Sequence, residues 1–172
     1  MKTIKQLLTT IAVLLCSVVV NAHDFVVDGI YYNITSTENL TVYVTYRGSF
    51  YSDYEEYYGK IIIPKRVIYQ GKTYQVTSIG SSAFEGCSEL ESIDIPNSVT
   101  EIWYSAFEGC SALKEVHCRR IENIKEMEVN KSAFEEEHFD ECVLYVPDGT
   151  LLEYRHHPVW GKFKQIEIYR TE

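Results

Sequence analysis

The chain has 172 residues, with 16 basic against 25 acidic side chains, a net charge of −9 and five cysteines. That length suits one domain, able to bury roughly 60–70% of its unfolded surface. An acidic surface disfavours nucleic acid and anionic membranes as partners.

Residues 1–22 read as a secretory signal. Lys2 and Lys5 precede an apolar run at 11–20, and Val20-Asn21-Ala22 makes a small-residue cleavage site, so the mature chain begins at His23. The run is too short for a membrane span, which needs about 20 residues, and no second one follows, so no transmembrane anchor is expected. Leu15 stands before Cys16 where a lipidation site wants a small residue. Removing the signal takes away two lysines and no acid, moving the charge from −9 to −11.

Residues 23–60 form a β-rich N-terminal cap. Two strand-like runs flank Asp28-Gly29, a strong hairpin signal, and 40–46 alternates with a period of two. The stretch 47–59 lacks clean periodicity and carries Tyr51, Tyr54, Tyr57 and Tyr58. Two readings stay open for these rings: an exposed contact surface, or a cover over the end of the core.

Residues 61–147 carry a repeat. Ile79, Ala83, Phe84, Gly86, Cys87 and Leu90 return 23 residues later as Ile102, Ala106, Phe107, Gly109, Cys110 and Leu113. A period of that size with apolar residues in register predicts a stacked solenoid, because one such unit cannot bury its own apolar face. Ile61-Ile62-Ile63-Pro64 matches Ile93-Asp94-Ile95-Pro96 as the strand of an earlier unit. Val76-Thr77-Ser78-Ile79 matches Val99-Thr100-Glu101-Ile102 as a second, short strand per turn. Between them an inserted hairpin turns at Gln70-Gly71. After Cys118 the register loosens: Ile121, Ile124 and Met127 recur at a helical spacing of three. Ser132-Ala133-Phe134 then arrives 27 residues, not 23, after its predecessor. The strand 143–146 follows.

Residues 148–172 form a C-terminal cap, with a short helix at 151–157 stopped by Pro158, an apolar set of Trp160, Phe163 and Ile166, and a closing strand at 165–169. Atypical terminal units protect the open ends of a stack.

The run Ile79-Gly80, Ala83-Phe84, Gly86-Cys87-Ser88, Leu90, Ile93, Ile95-Pro96 and Ser98-Val99-Thr100 resembles the BspA-type leucine-rich repeat of bacterial surface proteins. The segment 144–168 is similar to that family's closing unit. The resemblance implies a mainly β fold, a right-handed coil of parallel strands, with a role in adhesion or protein contact at the cell surface or in the envelope. It brings no catalytic residues. The chain departs from the pattern at Trp103, which stands where the first unit has Gly80. It departs again at Cys118-Arg119 in place of Ile-Pro, and in the stretched spacing before Phe134.

Side chains alternate across a strand, so inward Ile93/Ile95, Val116/Cys118 and Leu144/Val146 put Ile62, Asp94, His117 and Tyr145 in one outward row. Lys60, Ser92, Glu115 and Val143 make a parallel row. Asp94, His117, Tyr145, Ser92 and Glu115 are the candidate contact surface for a protein or glycan; the Tyr51–Tyr58 loop is the rival. An ordinary solvated face, in a structural envelope component with no soluble ligand, is the alternative. No cofactor or metal is expected: His156-His157 diverge by about 100° on a helix, and no HExxH or CxxC spacing exists. An enzyme is not expected, because no motif places a nucleophile. The thin candidates are Asp94 with His117 for general acid–base work, or a Cys110 or Cys118 pair with His117. Cys87 and Cys110 occupy equivalent, otherwise apolar places, which favours buried thiols over a bridge, although stacked neighbours come within bridging range. Cys118 and Cys142 complete the mature set, and a monomer is expected.

Overall fold

The computed structural model describes residues 23–48 and 56–169. The signal segment 1–22 and the rings Tyr51 and Tyr54 lie outside the described residues. The described chain is mainly β, in two sheets whose strands come alternately from successive repeats.

The first sheet is wholly parallel. It runs β4 (Gly59–Ile62), β7 (Leu90–Ile95), β9 (Glu115–Cys118), β11 (Val143–Val146) and β12 (Gln165–Ile168) from one end to the other. The second sheet begins with an antiparallel pair of hairpins. β1 (Phe25–Val27) pairs with β2 (Ile30–Ser36) through a turn in which both Asp28 and Gly29 have positive φ, and β2 pairs with β3 (Thr41–Thr45). From β3 onward the main path of this sheet is parallel. β3 joins β6 (Lys72–Ile79), then β8 (Glu101–Ile102), then β10 (Glu128–Val129), with β5 (Arg66–Tyr69) folded back on β6 across the Gln70-Gly71 turn. The cap strand β3 therefore extends the sheet of the repeats.

Between the sheets lies one core, and an aromatic column runs its length. Tyr57, Phe84, Phe107 and Phe134 stack at centroid spacings of 4.7, 5.2 and 4.7 Å, and Trp160 and Phe163 close the column at 5.5 and 5.4 Å from Phe134. The spacing follows the strand separation of about 4.8 Å, since one ring is delivered per repeat. The turns that carry the rings stack as well: Phe84 N–H donates to Ala106 O and Phe107 N–H to Ala133 O, both at 2.9 Å. Gly86 and Gly109 sit in this stack with positive φ, and a Cβ on Gly109 would come within 3.2 Å of Gly86 Cα. Only glycine meets both demands there.

The thiol reading of the cysteines is what the structure displays. Cys87, Cys110, Cys118 and Cys142 are all buried thiols; Cys110 Sγ donates to Phe84 O at 3.1 Å and Cys142 Sγ to Leu113 O at 3.0 Å. Burial pushes the Cys142 thiol up to about 11 and raises Cys110 and Cys118 as well.

Two elements differ from expectation. The helical spacing after Cys118 produces only a single 3₁₀ turn, Ile124–Glu126, before the chain enters β10. Ile124 and Met127 are both buried, but Ile121 is exposed, so the spacing of three reflects two core anchors rather than a helical face. The helix α1 (Glu136–Glu141) was not signalled, because five of its six residues are acidic or histidine and show no apolar period. His138 fixes its start by accepting the Glu135 N–H on Nδ1 at 3.1 Å, with Nε2 against Cys110 O at 3.1 Å. The second helix, α2 (Leu151–His156), lies where Pro158 and the apolar pattern put it.

Candidate functional site

The outward rows of the first sheet form in the expected register: Ile62 opposite Asp94, Asp94 opposite His117, His117 opposite Tyr145, and Tyr145 opposite Glu167. The second row likewise aligns Lys60, Ser92, Glu115, Val143 and Gln165. Alignment does not make every member available, however.

Asp94 is only 7% exposed. Its carboxylate accepts from Arg119 Nε at 2.9 Å and from Nη2 at 2.5 Å, and the guanidinium lies 4.4 Å over the Tyr169 ring. A planar fork suits both a carboxylate and an aromatic face, and each contact preserves the arginine's charge. Ser92, at 6% exposure, is also withdrawn, and its hydroxyl is buried with no hydrogen-bond partner. These two residues are part of the sheet's own packing and offer no ligand-facing surface.

The accessible part of the row begins at the next strand. His117 is half-buried and stacks on Tyr145 at 4.6 Å with an interplanar angle of 14°, while its Nε2 lies 3.0 Å from the exposed Glu115 carboxylate. Burial, with the nearby Glu115 and Glu167 carboxylates, raises the Tyr145 phenol above its ordinary value. His117, Tyr145, Asp148, Leu151, Glu167 and Tyr169 line an open depression of ≈ 820 Å³. The arrangement offers aromatic faces, acceptors and one imidazole to a partner.

The tyrosine loop divides. Tyr57 is 3% exposed, its ring on Phe84 and its hydroxyl donating to Thr45 O at 2.8 Å while accepting Tyr31 N–H at 3.1 Å. It covers the end of the core. Tyr58 is 71% exposed. The Cys–His pairs are not brought together in a usable form, because Cys118 points inward from the strand that presents His117 outward, and buried thiols are held protonated. His157 is buried, with Nε2 against Met127 O at 2.9 Å and Nδ1 accepting from Val159 and Trp160 N–H at 3.2 Å each, whereas His156 is exposed. Among the described residues no group of three or more His, Cys, Asp or Glu side chains gathers to hold a metal.

Arg119 and Tyr169 were the members of this face missed in sequence. Arg119 lies two residues beyond His117 on the same outward side, and that alternation was the available signal.

Stacked parallel strands from a 23-residue period, one aromatic ring per turn and capped ends define a leucine-rich-repeat protein. The chain belongs to the BspA-type leucine-rich-repeat family: the family model described as "BspA type Leucine rich repeat region (6 copies)" matches residues 55–148, more than half of the sequence. Among solved structures it is similar to a leucine-rich cell surface protein from Faecalibacterium prausnitzii A2-165 (24% identity, TM-score 0.51, covering 84% of this chain and 32% of that one). It is also similar to a leucine-rich repeat protein from Bacteroides capillosus (18% identity, TM-score 0.50, covering 85% and 98%). A third, a leucine-rich repeat protein from Bacteroides ovatus, shares 23% identity with a TM-score of 0.48, covering 84% and 41%. The chain thus spans less than half the length of two of these relatives. A comparison with curated proteins returns no match.

Proposed function

We propose that this protein is an exported interaction module that binds a protein or glycan non-covalently, at the cell surface or in the envelope, through the C-terminal half of its first sheet. The observation that carries this reading is the His117–Tyr145 ring pair, with Glu115 against His117 and with Glu167 and Tyr169 completing the rim of an open depression on the first sheet. Rigid strands hold the rings, so little ordering entropy opposes association. Export is supported by the basic, apolar and small-residue sequence of 1–22, and a cell-surface setting by the family. No helix among the described residues is long and apolar enough to cross a membrane.

A second reading, a structural envelope component without a soluble ligand, is favoured by the way the face satisfies itself: Asp94 with Arg119, Arg119 with Tyr169, and His117 with Glu115. The two readings separate in a pull-down of the mature chain against envelope and host-surface extracts. The interaction reading expects a captured component that is lost when His117, Tyr145 and Glu167 are replaced together by Ala, at an unchanged melting temperature. Capture that survives the triple variant contradicts the sheet-face assignment.

A further inference from the structure

Two of the three departures from the repeat converge on one place in the second sheet. Gly80, Trp103 and Asn130 are equivalent positions in successive layers, each donating its N–H to the layer before: Gly80 to Val44 O, Trp103 to Ile79 O and Asn130 to Ile102 O. In the first of these layers the position must be small, because a Cβ on Gly80 would meet Tyr43 at 2.7 Å and Val44 O at 2.9 Å. Trp103 instead packs against Tyr43 (4.9 Å between centroids) from the following layer, and its Nε1–H is pinned to Glu101 Oε2 at 2.9 Å. The longer spacing before Phe134 contains the 3₁₀ turn Ile124–Glu126 and β10, which raise Lys125, Met127 and Glu128 beside it. Trp103, Tyr104, Lys125, Glu128 and Asn130, together with His157-Pro158, line an open cleft of ≈ 610 Å³.

We propose that this cleft is a carbohydrate-binding site, distinct from the first-sheet depression, in which a pyranose ring stacks on Trp103. Three features select that chemistry. The indole is held on one side by Tyr43, which reaches it from two layers earlier across the space left by Gly80, and by its Nε1 bond, so it is a fixed platform next to an open volume. Tyr104, more than half exposed, adds a second ring with a hydroxyl at its tip. Around the rings stand an ammonium, a carboxylate and an amide, all exposed. Asn130 Oδ1 accepts from Ser132 N and Oγ at 3.0 and 2.9 Å, which fixes that amide and presents its nitrogen as a donor. A charged ligand would meet one like charge, and an apolar one would strip water from Lys125 and Glu128 without replacing their hydrogen bonds. A neutral polyhydroxylated ring satisfies donors and acceptors on its edge and the indole on its C–H face. The cleft's size lies in the range of about 300–1,000 Å³ that small-molecule sites occupy.

The test is titration of the mature chain with cellotriose, maltotriose, xylotriose and tri-N-acetylchitotriose, each to 10 mM (roughly a −3 kcal/mol binding threshold), read by tryptophan emission and amide chemical shifts. At least one should bind, with shifts confined to the Trp103, Asn130 and Lys125 neighbourhoods. Trp103→Ala should weaken that binding by roughly tenfold, and Trp103→Phe less. The His117/Tyr145/Glu167 triple variant should bind the saccharide unchanged, so this site stands or falls separately from the first-sheet reading. Absence of binding across the four saccharides overturns the proposal. So does binding that persists in a Trp103→Ala variant whose amide spectrum shows it folded, or shifts that map elsewhere.

Discussion

Phe107 is the residue on which most of the packing converges: fully buried, with Phe84 on one side and Phe134 on the other. Truncation to Ala opens a cavity in the middle of the column and should cost about 3–5 kcal/mol, measured by urea unfolding; a loss under about 1 kcal/mol would contradict the column's role. Arg119 offers a second test. Arg119→Met strands the Asp94 carboxylate, and because the guanidinium is 40% exposed the cost should be about 1–3 kcal/mol rather than that of a fully buried pair. Arg119→Lys should recover only part, since an ammonium lacks the fork. The thiols give a pH dependence with a definite sign. Cys142 is held up to about 11 in the fold by burial, while an unfolded thiol ionises near ~8.5. The unfolded state therefore loses its proton first. The contribution is complete below pH ~8.5 and is lost as pH climbs toward 11, so the melting temperature should fall across that window. The raised phenols of Tyr32 and Tyr154 act in the same direction. The same burial predicts that iodoacetamide labels the cysteines only after unfolding.

At the scale of elements, legibility followed periodicity. The 23-residue repeat placed β7 and β9, their inward residues, and the outward row from Ile62 to Tyr145 in the register that the sheet adopts. Both hairpin turns were legible because each ends on a glycine, Gly29 or Gly71, that takes up a positive φ readily; Asp28 suits that region too, whereas Gln70 adopts it without being favoured there. The failures came where local pattern carried no information. α1 is nearly all charged, and its start depends on a histidine reaching a carbonyl 28 residues earlier. For the site, alternation revealed which way Asp94 and Ser92 point but not what lies over them; Arg119, just past the end of the neighbouring strand β9, withdraws Asp94 from the surface. Gly80 makes the element-scale prediction: Gly80→Ala must displace Tyr43 or the Val44 carbonyl and should destabilise by about 1–3 kcal/mol, read as a shifted denaturation midpoint.

For the whole molecule, a short stack closed at both ends turns most of its chain to packing, and each of its two sheets carries an open concavity with aromatic lining. One is lined by His117, Tyr145 and Glu167, the other by Trp103 and Asn130. Both lie where successive repeats differ, while the apolar positions that repeat faithfully, such as Phe84/Phe107 and Cys87/Cys110, are buried. A repeat protein keeps its architecture in what recurs and is free to place recognition in what varies. The most direct test of that claim is hydrogen exchange on the mature chain with and without the component captured in the pull-down. Binding through the first sheet predicts added protection in β9, β11 and β12 at their outer rim, with β1 to β3 unchanged. Protection centred on β1 to β3, or spread evenly over both sheets, would contradict it.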